Sequence, residues 1–199
     1  MLIKRLFDIL AACIGLIVLS PVFLVIAVLI KSTSVGNIFF RQIRVGRNGR
    51  EFKIHKFRTM VANAEQIGEK ITVGKDIRVT KIGALLRKTK LDELPQLIDV
   101  ICGNMSIVGP RPEVPEYVEF YPADIKYIVL SVRPGITDYA SIIMIDENVI
   151  LAKSNNPKQC YIDEIMPQKL VYAVKYVKTR SFFGDLKIIF LTIGKIIIR

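Results

Sequence analysis

The residues best suited to chemistry in this chain are two adjacent carboxylates, Asp92 and Glu93, and an arginine that follows them, Arg111. They lie in the segment Thr89–Glu113, which reads TKLDELPQLIDVICGNMSIVGPRPE. An exposed carboxylate at a helix terminus, facing an arginine held rigid between two prolines, suits a nucleophile and a phosphate clamp. Alternatively, Asp92 caps a helix, Glu93 complements the helix dipole, and Arg111 is a turn residue. The residue types alone leave both interpretations open.

A short helix is predicted to position the two acids. Apolar residues recur at helical spacing along one side of the segment, while Asp92, Gln96 and Asp99 fall together on another side. Pro95 fits only the first turn, where its missing N–H has no partner to lose. The helix is therefore expected to begin within residues 91–94, which places both acids at its N-terminus.

Composition limits the class of protein. The chain has 199 residues, 51% of them apolar, and its mean hydropathy is +0.39, so a membrane segment is expected. The net charge of +11 implies an anionic partner, which can be nucleic acid, anionic lipid headgroups or a phosphorylated substrate. Three widely spaced cysteines and one histidine support neither a disulfide framework nor a zinc site. A reducing cytosolic environment fits this cysteine usage.

The N-terminal segment is the candidate membrane element. Ile9–Ile30 is uncharged over 22 residues, and as a helix this run extends roughly 33 Å, against a hydrocarbon core of about 30 Å. Ser20 and Pro21 lie near its middle, and basic residues flank both ends, Lys4 before and Lys31 after. The residues alone favour a proline-kinked span over a helix that dips into one leaflet and returns, and both stay open.

Three further elements are predicted. Ile38–Val45 and Glu51–Phe57 are rich in β-branched and aromatic residues and flank a glycine-containing turn, which predicts a basic β-hairpin. Thr80–Leu91 is predicted to be a helix that leads into the acidic pair. The C-terminal third, Tyr161–Arg199, is amphipathic and suits a helix that lies in the headgroup region or packs under the domain. Its basic face carries Lys187, Lys195 and Arg199.

Two motifs resemble the signature of a known family. They are Leu-Asp-Glu-Leu-Pro-Gln-Leu at 91–97 and Met-Ser-Ile-Val-Gly-Pro-Arg-Pro at 105–112. Both are similar to the bacterial sugar transferases, the small monotopic phosphoglycosyl transferases. Weaker similarities extend the resemblance from Lys4 to about Leu191: Lys4-Arg5, Asp8-Ile9, Ser20-Pro21, Lys-Phe-Arg-Thr-Met at 56–60 and Arg-Pro-Gly-Ile-Thr at 133–137.

This resemblance implies an activity. A member of the family transfers a sugar-1-phosphate from a UDP-sugar to a polyprenyl (undecaprenyl) phosphate and releases UMP, the first membrane step of a bacterial glycan or glycoconjugate pathway. By the resemblance, Asp92 is the nucleophile that carries the sugar-phosphate, and Glu93 is a metal ligand or a general base. Mg²⁺ is the expected cofactor, held by Asp92 and Glu93, because carboxylates and phosphates are the donors on offer. The residues expected to bind substrate are Lys56, Arg58, Arg87, Gln96, Arg111, Arg133 and Asp185.

The resemblance also implies an architecture. The expected fold is α+β and mainly helical. Residues 1–34 form a re-entrant membrane helix broken at Ser20-Pro21. Residues 35–199 form a small catalytic domain, with the β-hairpin and amphipathic interfacial helices, on the cytoplasmic face of the bacterial inner membrane. A homodimer is possible.

Alternatives to this assignment stay open at several positions. Arg87 is otherwise a surface cation, Arg133 a turn residue and Asp185 an N-cap residue. The run Asp138-Tyr139-Ala140-Ser141-Ile142 stands where many members read Gly-Leu-Ala-Gln-Val, so the choice of donor sugar does not carry over. Asn104 stands where an acid is usual.

A non-catalytic basic module, anchored in a membrane and binding anionic lipid or nucleic acid, would explain the charge and the anchor equally well. Such a module has no need of an acidic pair that faces rigid arginines. The chain contains no tryptophan and lacks the interleaved aromatic residues that stack on bases, so no nucleic-acid partner is expected.

Overall fold

The computed structural model describes residues 2–64, 74, 76–144 and 147–198. The helices are α1 (Leu2–Thr33), α2 (Lys81–Thr89), α3 (Gln96–Ile101), α4 (Pro115–Val118), α5 (Ala123–Leu130), α6 (Tyr139–Ile143), α7 (Glu147–Ala152), α8 (Pro157–Cys160), α9 (Met166–Thr179) and α10 (Phe182–Ile197). The strands are β1 (Phe39–Val45), β2 (Glu51–Phe57), β3 (Ser106–Val108) and β4 (Gly135–Thr137). The chain is therefore mainly helical, with two small sheets.

The predicted β-hairpin is confirmed. β1 and β2 pair antiparallel, with Phe39 opposite Phe57 and Val45 opposite Glu51. The turn between them contains Asn48 at φ 58° and Gly49 at φ 76°, residue types that tolerate the left-handed region. Lys56 is the penultimate residue of β2, so the hairpin fixes its position against the rest of the domain.

The second sheet is parallel and was not predicted. β3 and β4 are three residues each, and Ser106 pairs with Gly135 while Val108 pairs with Thr137. The chain continues past β3 through Gly109, and a Cβ built on Gly135 would lie 2.1 Å from the Gly109 nitrogen. Glycine is therefore required at this close approach. The pairing holds the segment that precedes Arg111 against β4.

Helix α1 runs without interruption through Ser20 and Pro21, so the predicted break at these residues is not seen. Proline cannot donate to the Ile17 carbonyl, but the Ser20 hydroxyl donates to that carbonyl at 2.8 Å. This bond satisfies the carbonyl that Pro21 leaves without its helical donor. By length and composition the helix is able to cross a membrane, and the re-entrant course stays a prediction.

Both halves of α1 pack on the rest of the chain. Two apolar clusters make these contacts: Ala12 with Ile54, Val100 and Met105, and Ile26 and Ile30 with Phe57 and Leu86. The first cluster lies toward the N-terminal end of the helix and the second toward its C-terminal end. The helix therefore contributes Ala12, Ile26 and Ile30 to the hydrophobic core, whereas most of its other large apolar side chains are exposed.

A buried group of polar side chains fixes the first turns of α1, and we call it the anchor cluster. It consists of Lys4, Asp8, Ser106, Tyr176 and Asp185. Lys4 Nζ lies 2.6 Å from Asp185 Oδ2 and 3.7 Å from Asp8 Oδ1. The Ser106 hydroxyl donates to Asp8 Oδ2 at 2.7 Å, and the Tyr176 hydroxyl donates to Asp185 Oδ1 at 2.9 Å. Four separate elements are joined by these bonds.

The polar side of α3 is buried rather than exposed. Asp99 is fully buried, and its two carboxylate oxygens accept from the backbone N–H and the ring Nδ1 of His55 at 2.8 Å each. Leu97, on the apolar side, contacts Gly15 of α1. α3 is thus enclosed between the membrane helix and β2. At the other end of the chain, α10 exposes Phe183 and Phe190, and Arg199, assigned above to its basic face, lies outside the described residues.

Candidate active site

A cleft of about 990 Å³ opens between the hairpin, α2, the segment after β3 and the helices α6 to α9. Six of the predicted site residues line it, and they come from four separate parts of the chain. These residues are Lys56, Arg58, Arg87, Asp92, Glu93 and Arg111. We call Lys56, Arg87, Asp92, Glu93 and Arg111 the acid cluster.

A tight turn places the two acids at the cleft. Lys90 ends α2 in the left-handed conformation, at φ 59°, and a 3₁₀ turn follows over Leu91–Glu93 before α3 begins at Gln96. Asp92 and Glu93 are 8% and 9% exposed. The helix is predicted to begin within residues 91–94, but those residues form the 3₁₀ turn and its end, and α3 begins only at Gln96, after Pro95.

Glu93 is held by two cations. Its Oε1 accepts from Lys56 Nζ at 2.8 Å and from Arg111 Nη2, and its Oε2 accepts from Arg111 Nη1 at 3.1 Å. Burial opposes ionisation of Glu93, but the charges of Arg111 and Lys56 hold its pKa well below the usual range. The Glu93 carboxylate in turn raises the pKa of Arg111. Glu93 is therefore an anchor for the two cations, and its depressed pKa leaves it poorly suited to act as a general base.

Asp92 has a different environment. Its Oδ1 is buried and has no hydrogen-bond partner among the described residues. Burial, together with the neighbouring charge of Glu93, raises the pKa of Asp92 above its usual range. A buried carboxylate oxygen without a partner is costly, and such an atom is expected to meet a ligand or an electrophile.

Cations surround the acids. Arg87 Nε donates to the Thr59 hydroxyl at 2.9 Å, which directs the side chain along the edge of the cleft. Burial lowers the pKa of Arg87, and the charge of Asp92 opposes that shift. Burial likewise lowers the pKa of Lys56, although Glu93 opposes it. The site thus concentrates positive charge in a partly desolvated space, where electrostatic attraction for phosphate is strong.

Arg111 is fixed from its backbone as well as its side chain. It lies between Pro110 and Pro112, and its N–H donates to Asp138 Oδ2 at 3.3 Å. Asp138 also caps α6, because its Oδ1 accepts from the Ser141 N–H at 2.7 Å. Asp138 therefore connects the backbone of Arg111 to the start of α6.

The remaining predicted site residues either lie outside the cleft or already form hydrogen bonds with other parts of the chain. Arg58 lines the cleft, but its guanidinium donates to Val35 and to Ser34, the chain that leaves α1. Arg133 Nε donates to the Gly103 carbonyl at 2.8 Å, near the C-terminal end of α3. Of the described residues that line the cleft, none is Arg133, Gln96 or Asp185. Gln96 is 1% exposed beneath the acids, and Asp185 belongs to the anchor cluster.

A second polar group on the cleft was not found from the sequence, and we call it the tyrosine cluster. It consists of Arg44, Glu113, Glu147, Tyr161 and Lys169, all of which line the cleft. Arg44 and the Tyr161 hydroxyl donate to the two oxygens of Glu113. Lys169 Nζ lies 4.9 Å from the centre of the Tyr161 ring and 2.5 Å from Glu147 Oε2. These residues are far apart in sequence, so no local motif marks them.

Several known proteins are similar to nearly the whole of this chain. A UDP-N-acetylgalactosamine-undecaprenyl-phosphate N-acetylgalactosaminephosphotransferase of Aeromonas hydrophila is 38% identical over 197 residues, which cover 98% of this chain and 44% of that protein. A UDP-glucose:undecaprenyl-phosphate glucose-1-phosphate transferase of Klebsiella pneumoniae is 40% identical over 197 residues, or 98% of this chain and 40% of that protein. The exopolysaccharide production protein ExoY of Rhizobium meliloti is 37% identical over 205 residues, or 96% of this chain and 83% of that protein.

The chain spans less than half the length of the first two relatives and most of the length of the third. The bacterial sugar transferase family matches residues 1–199. The sequence motifs, the acid cluster and this match agree, and the chain belongs to the bacterial sugar transferase family.

Proposed function

We propose that this chain transfers a sugar-1-phosphate from a UDP-sugar to a polyprenyl phosphate through a covalent phosphosugar on Asp92. The observation that carries the proposal is the contrast within the acidic pair: Glu93 is neutralised by Lys56 and Arg111, whereas Asp92 Oδ1 has no partner among the described residues. Relatives that act on UDP-sugars and undecaprenyl phosphate support the choice of substrates.

The reaction divides into two displacements. An Asp92 oxygen attacks the β-phosphorus of the donor, a new O–P bond forms, and the bond to the bridging oxygen breaks, so that UMP leaves with the electron pair. An oxygen of the lipid phosphate then attacks the same phosphorus and releases the Asp92 carboxylate. Both substrates are anionic, and the charges of Lys56, Arg87 and Arg111 reduce the repulsion between them. Glu93 positions two of these cations.

Mg²⁺ is the cofactor we propose. Within the described residues there is no group of three or more histidine, cysteine, aspartate or glutamate side chains able to hold a metal. Mg²⁺ commonly binds one or two carboxylates together with substrate phosphates and water. Asp92 fits this pattern because one of its oxygens is unpartnered, whereas both oxygens of Glu93 are already occupied. When bound, the ion supplies positive charge to the diphosphate.

The packing of α1 favours a course with both of its ends on the same side of the membrane, which the predicted re-entrant course also requires. A straight helix of 32 residues is about 48 Å long, yet Lys4 near its start and Ile30 near its end both contact the globular part of the chain. If that part stays on one side of the bilayer, both ends of α1 lie on that side. We place it on the cytoplasmic face of the inner membrane, with the exposed apolar residues of α1 and α10 in lipid.

Cysteine labelling tests this topology. In a chain with Cys13, Cys102 and Cys160 replaced by serine, Ile3→Cys and Ser32→Cys should react with a membrane-impermeant reagent from the same side. Glu119→Cys, whose side chain is 77% exposed, reports the side of the globular domain. Opposite sides for the two helix positions would establish a span.

Mass spectrometry tests the covalent step. Protein in nanodiscs, quenched during turnover with a UDP-sugar and Mg²⁺, should release UMP and carry a sugar-phosphate on the peptide that contains Asp92. Asp92→Asn should give neither product. Absence of the adduct in a protein that turns over, with kinetics that require both substrates at once, would rule out the two-step reaction. A non-catalytic basic module predicts no UMP release at all.

A further inference from the structure

The tyrosine cluster is a preorganised polar surface on the same cleft as the acid cluster. Glu113 accepts from Arg44 at 3.2 Å and from Tyr161, which fixes the tyrosine ring. That ring lies under Lys169, and Lys169 pairs with Glu147. Each side chain is therefore held by the next, and the series ends at an ion pair on the cleft wall.

The Glu147–Lys169 pair retains capacity to bind. The two side chains are 26% and 20% exposed, so the pair is only partly desolvated. An ammonium has three donors and a carboxylate about four acceptor sites, of which their mutual contact uses only part. A group that both donates and accepts hydrogen bonds suits such a surface. Hydroxyl groups do both, whereas a phosphate only accepts and is repelled by Glu147.

The two clusters are built on one short segment. Arg111 contacts Glu93 in the acid cluster, and Glu113, two residues later, contacts Tyr161 in the tyrosine cluster. A phosphate bound at Arg111 therefore has the tyrosine cluster within the same cleft of about 990 Å³. A nucleoside diphosphate sugar carries a hydroxylated ring on each side of its diphosphate, so one ring is available to meet this surface.

We propose that Glu147 and Lys169 bind the hydroxyls of a hydroxylated ring of the donor, either the transferred sugar or the ribose, and so contribute to donor selection. This inference rests on the proposed function, because it takes the donor to be a nucleotide diphospho-sugar.

Binding measurements test the proposal directly. Affinities of UDP-glucose, UDP and 2′-deoxy-UDP are measured by calorimetry for the wild type, Glu147→Gln and Lys169→Gln. Loss of a hydrogen bond to a charged group is expected to weaken binding by roughly tenfold or more. If only UDP-glucose weakens, the ring is the transferred sugar. If UDP and UDP-glucose weaken together while 2′-deoxy-UDP is less affected, the ring is the ribose.

Two variants separate binding from a merely structural role. The exchange Glu147→Lys with Lys169→Glu keeps an ion pair between α7 and α9 but reverses the donors and acceptors, so ring binding should still fall while the melting temperature stays near that of the wild type. Glu116→Gln is the matched control. Glu116 forms an ion pair with Lys158 at 2.6 Å, and neither residue lines the cleft. It should leave all three affinities unchanged.

Three results would overturn the inference. The first is that the variants bind all three ligands as tightly as the wild type does. The second is that the affinities for UDP, 2′-deoxy-UDP and UDP-glucose all fall by the same factor. The third is that the charge exchange binds the ligands as tightly as the wild type does. Failure of the proposed function is a separate result, since it appears as absence of UMP release and of the Asp92 adduct in the wild type. If the wild type releases UMP and the Glu147 and Lys169 variants bind the three ligands with wild-type affinities, only the assignment of these two residues is contradicted.

Discussion

Two buried groups of charged residues stabilise different parts of this chain, and they differ in how completely they are paired. In the anchor cluster, Asp8 and Asp185 are 2% and 3% exposed, and each carboxylate has both a hydroxyl donor and the Lys4 ammonium nearby. In the acid cluster, Glu93 is equally well paired, but Asp92, which lines a large cleft, has a buried oxygen, Oδ1, without a hydrogen-bond partner among the described residues.

This difference indicates which group is structural and which is chemical. Paired buried charges specify an arrangement of elements, and removing one partner leaves the other uncompensated. An unpaired carboxylate contributes little to the fold and is available for reaction or ligand binding. The same residue types, aspartate and lysine, thus have two roles that their pairing distinguishes.

Asp92→Asn gives the largest expected effect and separates the two clusters most sharply. Turnover should fall by at least about 1,000-fold, because the nucleophile is lost. The melting temperature should stay the same or rise, since the substitution removes a buried, unpartnered charge. The measurements are UMP release and thermal unfolding in nanodiscs. A marked fall in the melting temperature of Asp92→Asn would instead place Asp92 among the structural charges.

Asp185→Asn should show the opposite pattern. Lys4, whose side chain is 27% exposed, loses the nearer of its two carboxylate partners, and the buried Tyr176 hydroxyl loses a charged acceptor, which together are expected to destabilise the protein by about 2–3 kcal/mol. For a chain of this size that corresponds to a fall in melting temperature of roughly 5–10 °C. The KM for the donor should be unchanged, because Asp185 lies away from the cleft. A raised KM with an unchanged melting temperature would instead support the sequence-based assignment of Asp185 to substrate binding.

Tyr176→Phe should produce a smaller loss of the same kind. The hydroxyl donates to Asp185 Oδ1 at 2.9 Å and lies 3.0 Å from the Val108 carbonyl, and both acceptors are buried. Removing it should cost about 1–2 kcal/mol, measured by thermal unfolding, with turnover of the folded enzyme preserved. Tyr127→Phe is the control, since Tyr127 is 81% exposed and should change neither quantity.

The pH dependence of turnover gives the finest test. Asp92 must be ionised to attack, so kcat should fall at low pH, with an apparent pKa above that of an ordinary aspartate. Glu93→Gln removes a charge that raises the pKa of Asp92, and the acidic limb of kcat should move to lower pH. Glu116→Gln should leave that limb in place. A limb that moves to higher pH in Glu93→Gln would contradict the coupling of the two acids.

Stability should respond to Glu93 in a defined pH window. Its pKa in the folded state is depressed, so its contribution is complete above the unfolded value of about 4.3 and is lost as pH falls through the lower folded value. Acid titration followed by circular dichroism should therefore show a component of acid-induced destabilisation that is missing in Glu93→Gln. Equal acid sensitivity of the two proteins would argue against the clamp of Lys56 and Arg111 on Glu93.

The local elements of the site were predictable from sequence. The hairpin follows from its β-branched and aromatic residues and from its turn, with predicted bounds Ile38–Val45 and Glu51–Phe57 against Phe39–Val45 and Glu51–Phe57 in the structure. Pro95 also located the acidic pair just before α3, although it is the N-cap residue of that helix and not part of its first turn. Short-range pattern is sufficient where the determinants are neighbours in the chain.

Long-range pairing was not predictable. The parallel contact of β3 with β4 involves three-residue strands, too short to show alternation. Asp185 resembles a site residue in sequence, but its partner Lys4 comes from the far end of the chain. Lys169 and Tyr161 approach each other only because a π-helical turn leads into α9. These contacts depend on packing that single-sequence periodicity does not contain.

The insertion of α1 into the core has a practical consequence for protein production. Ile54, Phe57, Val100 and Met105 are nearly or fully buried, and α1 covers them with its own apolar residues. Removal of residues 1–34 would expose these side chains to water and would also remove Lys4, the counter-ion of Asp185. A soluble fragment made in this way is expected to aggregate, so detergent or nanodisc preparations of the full chain are the appropriate material for crystallisation and inhibitor screening.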